Sequence, residues 1–231
     1  MNILLLGRGK TGSLVAEVAR QRGHEVQVMG AAENLDGAAL SAEKLRGTDV
    51  VIDFTAPSCV IGHIEACVEL GTNMVVGTTG WYGELDRIRK LVESRGTGLV
   101  YASNFSLGVN LFFEVVRAAG AALRHQYTGQ IFERHNAHKK DAPSGTAISI
   151  QQIIREASGE DDKSEDLEIT SFREGDVVGM HEVVLESAAD RIYLCHDAKS
   201  RQGFADGAVR AAEWISGKKG FYEFKDVWRE L

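Results

Sequence analysis

The stretch NILLLGRGKTGSLVAEVARQR, residues 2–22, passes from an apolar run through a glycine turn into an amphipathic segment. Ile3 to Leu6 read as a strand buried on both faces, and the segment after Gly12 places its apolar residues at helical spacing. The pattern Gly-x-Gly-x-x-Gly at 7–12 sits directly after that strand and opens the helix, the context that gives so short a motif weight. Gly7 then permits the tight turn, Gly9 the approach of a pyrophosphate, and Gly12 close packing of helix on strand, with the phosphate facing the helix N-terminus. The plain alternative is a structural strand-to-helix turn with no ligand.

The ending Gly-Lys-Thr also raises the nucleoside-triphosphate loop, but that loop requires a glycine where Leu4 stands. The acidic residue that binds an adenosine ribose is missing from the end of the second strand, where Val28, Met29, Gly30, Ala31 and Ala32 follow one another. Glu33 is near enough to reach in, while Arg8 and Lys10 suit a 2′-phosphate. NADH and NADPH both stay open.

Four further apolar runs follow at 25–29, 49–54, 73–77 and 98–102, separated by amphipathic stretches such as GELDRIRKLVESR. This alternation predicts a Rossmann-like, doubly wound parallel sheet of five strands with crossover helices over residues 1–104. Beyond NFSLGVN the rhythm changes to a helix at about 109–124, a strand ending at Glu133, a helix from Gly145, and three alternating strands within 166–196. These predict a second α+β domain, 105–203, with a small open mixed sheet. A last helix at 204–217 opens a segment, 204–231, that packs back onto the first domain. The acidic run EDDKSED at 160–166 reads as a solvated loop.

The 231 residues are 44% hydrophobic and 26% charged, ordinary for a globular chain, and the net charge of −7 argues against nucleic acid or an anionic membrane as partner. Cys59, Cys67 and Cys195 form no Cys-x-x-Cys pair, which fits a reducing compartment. With no basic leader and no long apolar span, the expectation is a soluble cytoplasmic protein.

Ligands of a doubly wound sheet lie at the carboxyl ends of its strands. Three small-residue loops fall there, and they add Phe54, Gly77, Thr78, Thr79, Ser103, Asn104 and Phe105 to the glycine loop (Gly7, Arg8, Gly9, Lys10, Thr11 and Gly12) as candidate cofactor contacts. In the second half, RHNAHKKDAPSGTA at 134–147 concentrates cations in an acidic chain. Pro143 and Ser144 read as the start of a helix whose first amides, Gly145 and Thr146, with the two hydroxyls, form an anion site. His135 and Lys139 lie just upstream, and the set suits a small carboxylate whose reaction generates or absorbs charge. A metal at His135 and His138 lacks accompanying ligands, so none is expected. A solvated charge run is the plain alternative.

Taken in order, GRGKTG, VVIDFT, VVGTTG, NFSLGVN, ERHNAHKKDAPSGTA and RQGFADGAVRAAEWI resemble the dihydrodipicolinate reductase family over essentially the whole chain. The resemblance implies an NADH- or NADPH-dependent reductase of a small-molecule cyclic dicarboxylate in lysine and meso-diaminopimelate synthesis, assembled as a homotetramer through the sheets of the second domain. It implies His135 as proton donor, Lys139 as partner cation, Ser144, Gly145 and Thr146 as the substrate-carboxylate loop, and Arg201 as a substrate contact. Reduction next to a ring nitrogen leaves an enamine-like anion, which agrees with a histidine near its pKa at neutral pH and a nearby ammonium.

The chain departs from the family pattern at Asn136, where a second histidine is usual and one substrate hydrogen bond changes character, and in a glycine loop one residue shorter. Little chain lies between the second and third strands. Two rivals are a related two-domain amino-acid dehydrogenase and a non-catalytic dinucleotide-binding sensor.

Overall fold

The computed structural model describes residues 1–34, 37–159 and 167–231, so the acidic run at 160–166 lies outside the described residues. The chain divides into two compact units, 1–107 with 202–231, and 108–201. No described helix is long and apolar enough to cross a membrane.

The first unit begins with β1 (Asn2–Leu6), α1 (Lys10–Gln21), β2 (Glu25–Met29), β3 (Val50–Asp53), α2 (Val60–Glu69), β4 (Asn73–Val76), α3 (Leu85–Arg95) and β5 (Gly98–Tyr101). In β1, Ile3 and Leu5 enter the core that contains Val15 and Val18 of α1, whereas Leu4 and Leu6 enter the one that contains Ile64 of α2 and Ile88 of α3. Both faces are dry, which is why the strand is continuously apolar. The parallel register aligns Leu6 with Met29 and Asp53, Asp53 with Val76, and Val76 with Tyr101. All five strands therefore end along one edge. One crossover differs from expectation: between β2 and β3 the described residues form turns rather than a helix, and Leu40 and Leu45 supply the apolar cover.

In the second unit, α4 (Leu107–Gly120) is shorter than expected and passes into a 3-10 turn, Ala121–His125, before Gln126 at φ 66° turns the chain into β6 (Thr128–His135). Gly120, the last residue of the helix, is closely packed, since a Cβ on it would lie 2.9 Å from Ala157. Then follow α5 (Gly145–Ser158), β7 (Ile169–Arg173), β8 (Met180–Glu186) and β9 (Arg191–Asp197). The sheet order is β7-β6-β8-β9, with β6 parallel to β7 and antiparallel to β8. Ile131, Val183 and Leu185 on one face pack against Phe112 and Val116 of α4 and Ile150 and Ile154 of α5.

The sixth strand of the first sheet comes from the far end of the chain. After α6 (Gln202–Ile215), β10 (Gly220–Glu223) pairs in parallel with β5, and α7 (Phe224–Val227) follows. The sheet order is thus β10-β5-β4-β3-β1-β2, one strand more than the five expected. Asn73 holds this addition in place: its side-chain amide donates to the carbonyls of Ile215 (2.7 Å) and Lys218 (3.0 Å), and its oxygen accepts the Gly98 amide at 2.7 Å.

Candidate active site

Strand order reverses beside β1, and there the carboxyl edge opens into a crevice of about 240 Å³ lined by Gly7, Gly9, Gly30, Asn34, Phe54 and His63 among others. Gly7 adopts φ +104°, and a Cβ on it would lie 2.2 Å from the Phe54 carbonyl. A Cβ on Gly12 would lie 2.4 Å from the Gly7 carbonyl, while one on Gly9 would meet nothing within 4 Å. The first and third glycines thus close the turn, and the second leaves it open. Gly9 caps α1 without a side-chain hydrogen bond, and the first turn holds no acidic residue, so its amides present an anion site. Lys10 opens that helix, and Lys10 and Arg8 are exposed while Thr11 is half-buried.

Beneath the crevice, the fully buried Asp53 accepts from Thr78 Oγ1 (2.6 Å), Thr55 Oγ1 (2.8 Å) and His63 Nδ1 (2.6 Å). Thr78 is therefore committed to holding the Phe54 loop, whereas Thr79 and Ser103 are exposed. The Phe54 ring lies where a Gly77 side chain would stand, and it faces Phe105 at 6.2 Å between centroids. Asn104 accepts the Ser106 amide at 2.9 Å and shapes the next loop. His63 Nε2 and Asn34 Nδ2, both on residues that line the crevice, are buried with no hydrogen-bond partner among the described residues. Such orphaned polar atoms, an open glycine and uncapped amides fit a dinucleotide. Glu33, left open by the sequence, accepts the Gly30 amide at 2.6 Å and pairs with Arg8 at 2.9 Å.

In the second unit the cationic stretch is partly strand. The ladder runs two residues beyond Glu133, pairing Arg134 with Met180 and His135 with Arg173. Glu133 and His135 consequently share the inward phase of β6 with Ile131, and His181 shares that of β8 with Val183 and Leu185. His135 Nδ1 donates to Glu133, and the Arg173 guanidinium donates to the other Glu133 oxygen at 2.6 Å and to the Asp141 carbonyl at 2.6 Å. The chain then turns at Asn136, whose side-chain oxygen accepts the His138 amide, and Lys139 binds both oxygens of Asp141 at 2.8 Å. Ser144 caps α5, accepting the Ala147 amide at 3.2 Å, and its hydroxyl lies 3.1 Å from His181 Nε2. Its side chain is thus committed inward, and Gly145 and Thr146 form the first turn of α5 behind it. Arg201 is exposed just ahead of α6.

Burial would raise the Glu133 carboxyl, but the hydrogen bonds from Arg173 and Ser171 and the neighbouring charges outweigh it and hold it at about 2. Burial pushes His135 below the ordinary histidine value despite Glu133, and pushes His181 to about 4. His135 alone therefore titrates lower than the sequence reading assumed. Glu133, His135 and His181 lie within ligand-set distance of one another, yet both Glu133 oxygens are already engaged. Removing one partner of such a buried ion pair costs about 3–5 kcal/mol.

Residues 1–105 match the family description "Dihydrodipicolinate reductase, N-terminus", and residues 108–228 match "Dihydrodipicolinate reductase, C-terminus". The chain belongs to the dihydrodipicolinate reductase family. The 4-hydroxy-tetrahydrodipicolinate reductase of Christiangramia forsetii is 38% identical over 240 residues, 100% of this chain and 99% of that one. The enzyme of the same name from Chromobacterium violaceum is 40% identical over 199 residues, 79% of this chain and 74% of its own. In fold, the chain is similar to dipicolinate-bound dihydrodipicolinate reductase from Paenisporosarcina sp. TG-14, with a TM-score of 0.77 at 24% identity over 98% of this chain and 99% of that one. In this dihydrodipicolinate reductase family member, Glu133, Arg173 and His181 went unread in the sequence. For Glu133 and His181 the signal is a polar residue on the apolar phase of an alternating strand, whereas β7, which carries Arg173, shows no such alternation.

Proposed function

We propose that the chain reduces 4-hydroxy-tetrahydrodipicolinate to tetrahydrodipicolinate in lysine and meso-diaminopimelate synthesis with NADH or NADPH, the first unit holding the dinucleotide and the second the substrate. The observation that carries the assignment of roles is His135, held by Glu133 on the inner face of β6 directly before the loop that bears Lys139 and leads to α5. When bound, the reduced nicotinamide supplies a hydride. The α1 amides and the Gly7 turn hold its pyrophosphate, and Phe54, Gly77, Thr79 and Phe105 shape the crevice for its ring.

The Gly145 and Thr146 amides take one substrate carboxylate, and Arg201 and Asn136 take up the remaining polar groups. Lys139 exchanges Asp141 for the enamine-like anion, and His135 protonates the ring carbon. The two substrate carboxylates raise the His135 pKa that burial lowers, so the imidazole gains its proton as the substrate arrives. The protein acts in the cytoplasm as a homotetramer. Support for assembly is the outer face of the second sheet, where a cavity of about 450 Å³ is lined by Phe132, Val184 and Tyr193 together with polar residues that include Gln130, Glu182 and Arg191, and Tyr193 is 59% exposed.

The test uses His135→Gln and Lys139→Cys with enzymatically generated substrate. Dinucleotide binding by fluorescence titration stays as in the wild type, while turnover falls by about 10²–10⁴. Near-normal turnover in both variants sinks the assignment.

A further inference from the structure

A histidine that hands over a proton works from one ring nitrogen while the other is held. At His135 the held atom is Nδ1. A carboxylate only accepts, so its bond with Glu133 places a hydrogen on Nδ1. Glu133 is itself fully buried, and its second oxygen is taken by Arg173, whose guanidinium also binds the Asp141 carbonyl. The His181 ring stands edge-on to the imidazole, 5.1 Å between centroids at 71°. At the opposite nitrogen the chain has Gly179, where a Cβ would lie 3.0 Å from His135 Nε2. Glu133, itself held by Arg173, and His181 thus restrain the ring, and a glycine places no side chain at its far end.

The geometry points to Glu133, clamped by Arg173, as the positioning residue of the proton donor: it fixes one hydrogen on His135 Nδ1 and leaves Nε2 to deliver the other to the substrate. This rests on the reading of His135 as the donor. The imidazolium loses its Nε2 proton to the ring carbon and becomes a neutral imidazole that keeps the Nδ1 hydrogen on Glu133. Solvent returns the proton to Nε2 in the next cycle. The charged and titratable groups that face the ring are Glu133 on β6, Arg173 on β7, His181 on β8 and Lys139 in the loop after β6. Glu133 favours the imidazolium; burial, Lys139 and Arg173 oppose it.

In Glu133→Gln, Arg173 keeps the amide oxygen and turns the amide NH2 toward Nδ1. The neutral ring must then carry its hydrogen on Nε2, and the imidazolium faces a donor. The expected result is a kcat about 100-fold lower, with substrate KM and dinucleotide Kd within about threefold of wild type. The alkaline limb of the pH–kcat profile moves to lower pH. Glu133→Asp keeps the charge and returns that limb toward the wild-type position, which a merely structural role does not require. Nitrogen-resolved NMR of the unmutated protein gives a measurement independent of any variant: neutral His135 carries its hydrogen on Nδ1. An Nε2–H tautomer in the wild type overturns the proposal. So does a Glu133→Gln enzyme with wild-type kcat and pH profile while His135→Gln is inactive, and in that case the donor assignment stands. A normally active His135→Gln enzyme removes the donor reading and this inference with it.

Discussion

Glu33 is tied to two residues that line the crevice, through the Gly30 amide and the Arg8 guanidinium. The amide bond and then Arg8 hold its carboxyl below the usual range. A ribose 2′-hydroxyl donates to such a carboxylate, whereas a 2′-phosphate meets its charge and finds Arg8 already paired. Glu33→Gln should therefore lower KM for NADPH relative to NADH by about tenfold, the worth of one charged hydrogen bond. Parallel steady-state kinetics with both dinucleotides read this ratio, and an unchanged ratio removes Glu33 from cofactor choice. At this scale the sequence states backbone demands plainly, because only glycine meets them at positions 7 and 12. It hides Arg173, whose partner Glu133 lies 40 residues away and becomes a neighbour only through strand pairing.

The glycine loop and α1 act as one element. A methyl on Gly12 meets the Gly7 carbonyl at 2.4 Å, so Gly12→Ala must push the helix N-terminus off the turn. Helix propensity favours alanine by about 1 kcal/mol, so the circular dichroism of the variant should stay native. Its dinucleotide affinity should fall at least about tenfold, because the amides lose their aim. Wild-type affinity by fluorescence titration counts against an anion site there. Elements with a strong period were legible in the sequence, β1 and α1 above all. The end of β6 was not, since Arg134 and His135 look like loop residues until the ladders to β7 and β8 extend through them. The turns between β2 and β3 and the strand β10 were missed for a related reason: a short apolar segment shows its state only through what it packs against.

For the whole molecule, the polar end of the second sheet sets an acid limit. His181 is pushed to about 4 from 6.5, and burial displaces His135 and His196 in the same direction. Below 6.5 the unfolded chain binds protons that the native one refuses, so stability falls as pH drops through the window from 6.5 to about 4. Glu133, at about 2 against an ordinary 4.5, continues the loss below that range. Calorimetry across this series should show Tm falling, and His181→Asn should flatten the fall; a wild-type Tm constant from pH 7 to 4 contradicts the burial argument. The parallel pairing of β10 with β5 bears on a different moment in the life of the chain. A ribosome releases the second unit whole while the first sheet still ends at β5, its ladder groups open to any passing strand. Throughout the synthesis of residues 102–219 that edge has no β10 to pair with, and the emergence of residues 220–223 closes it.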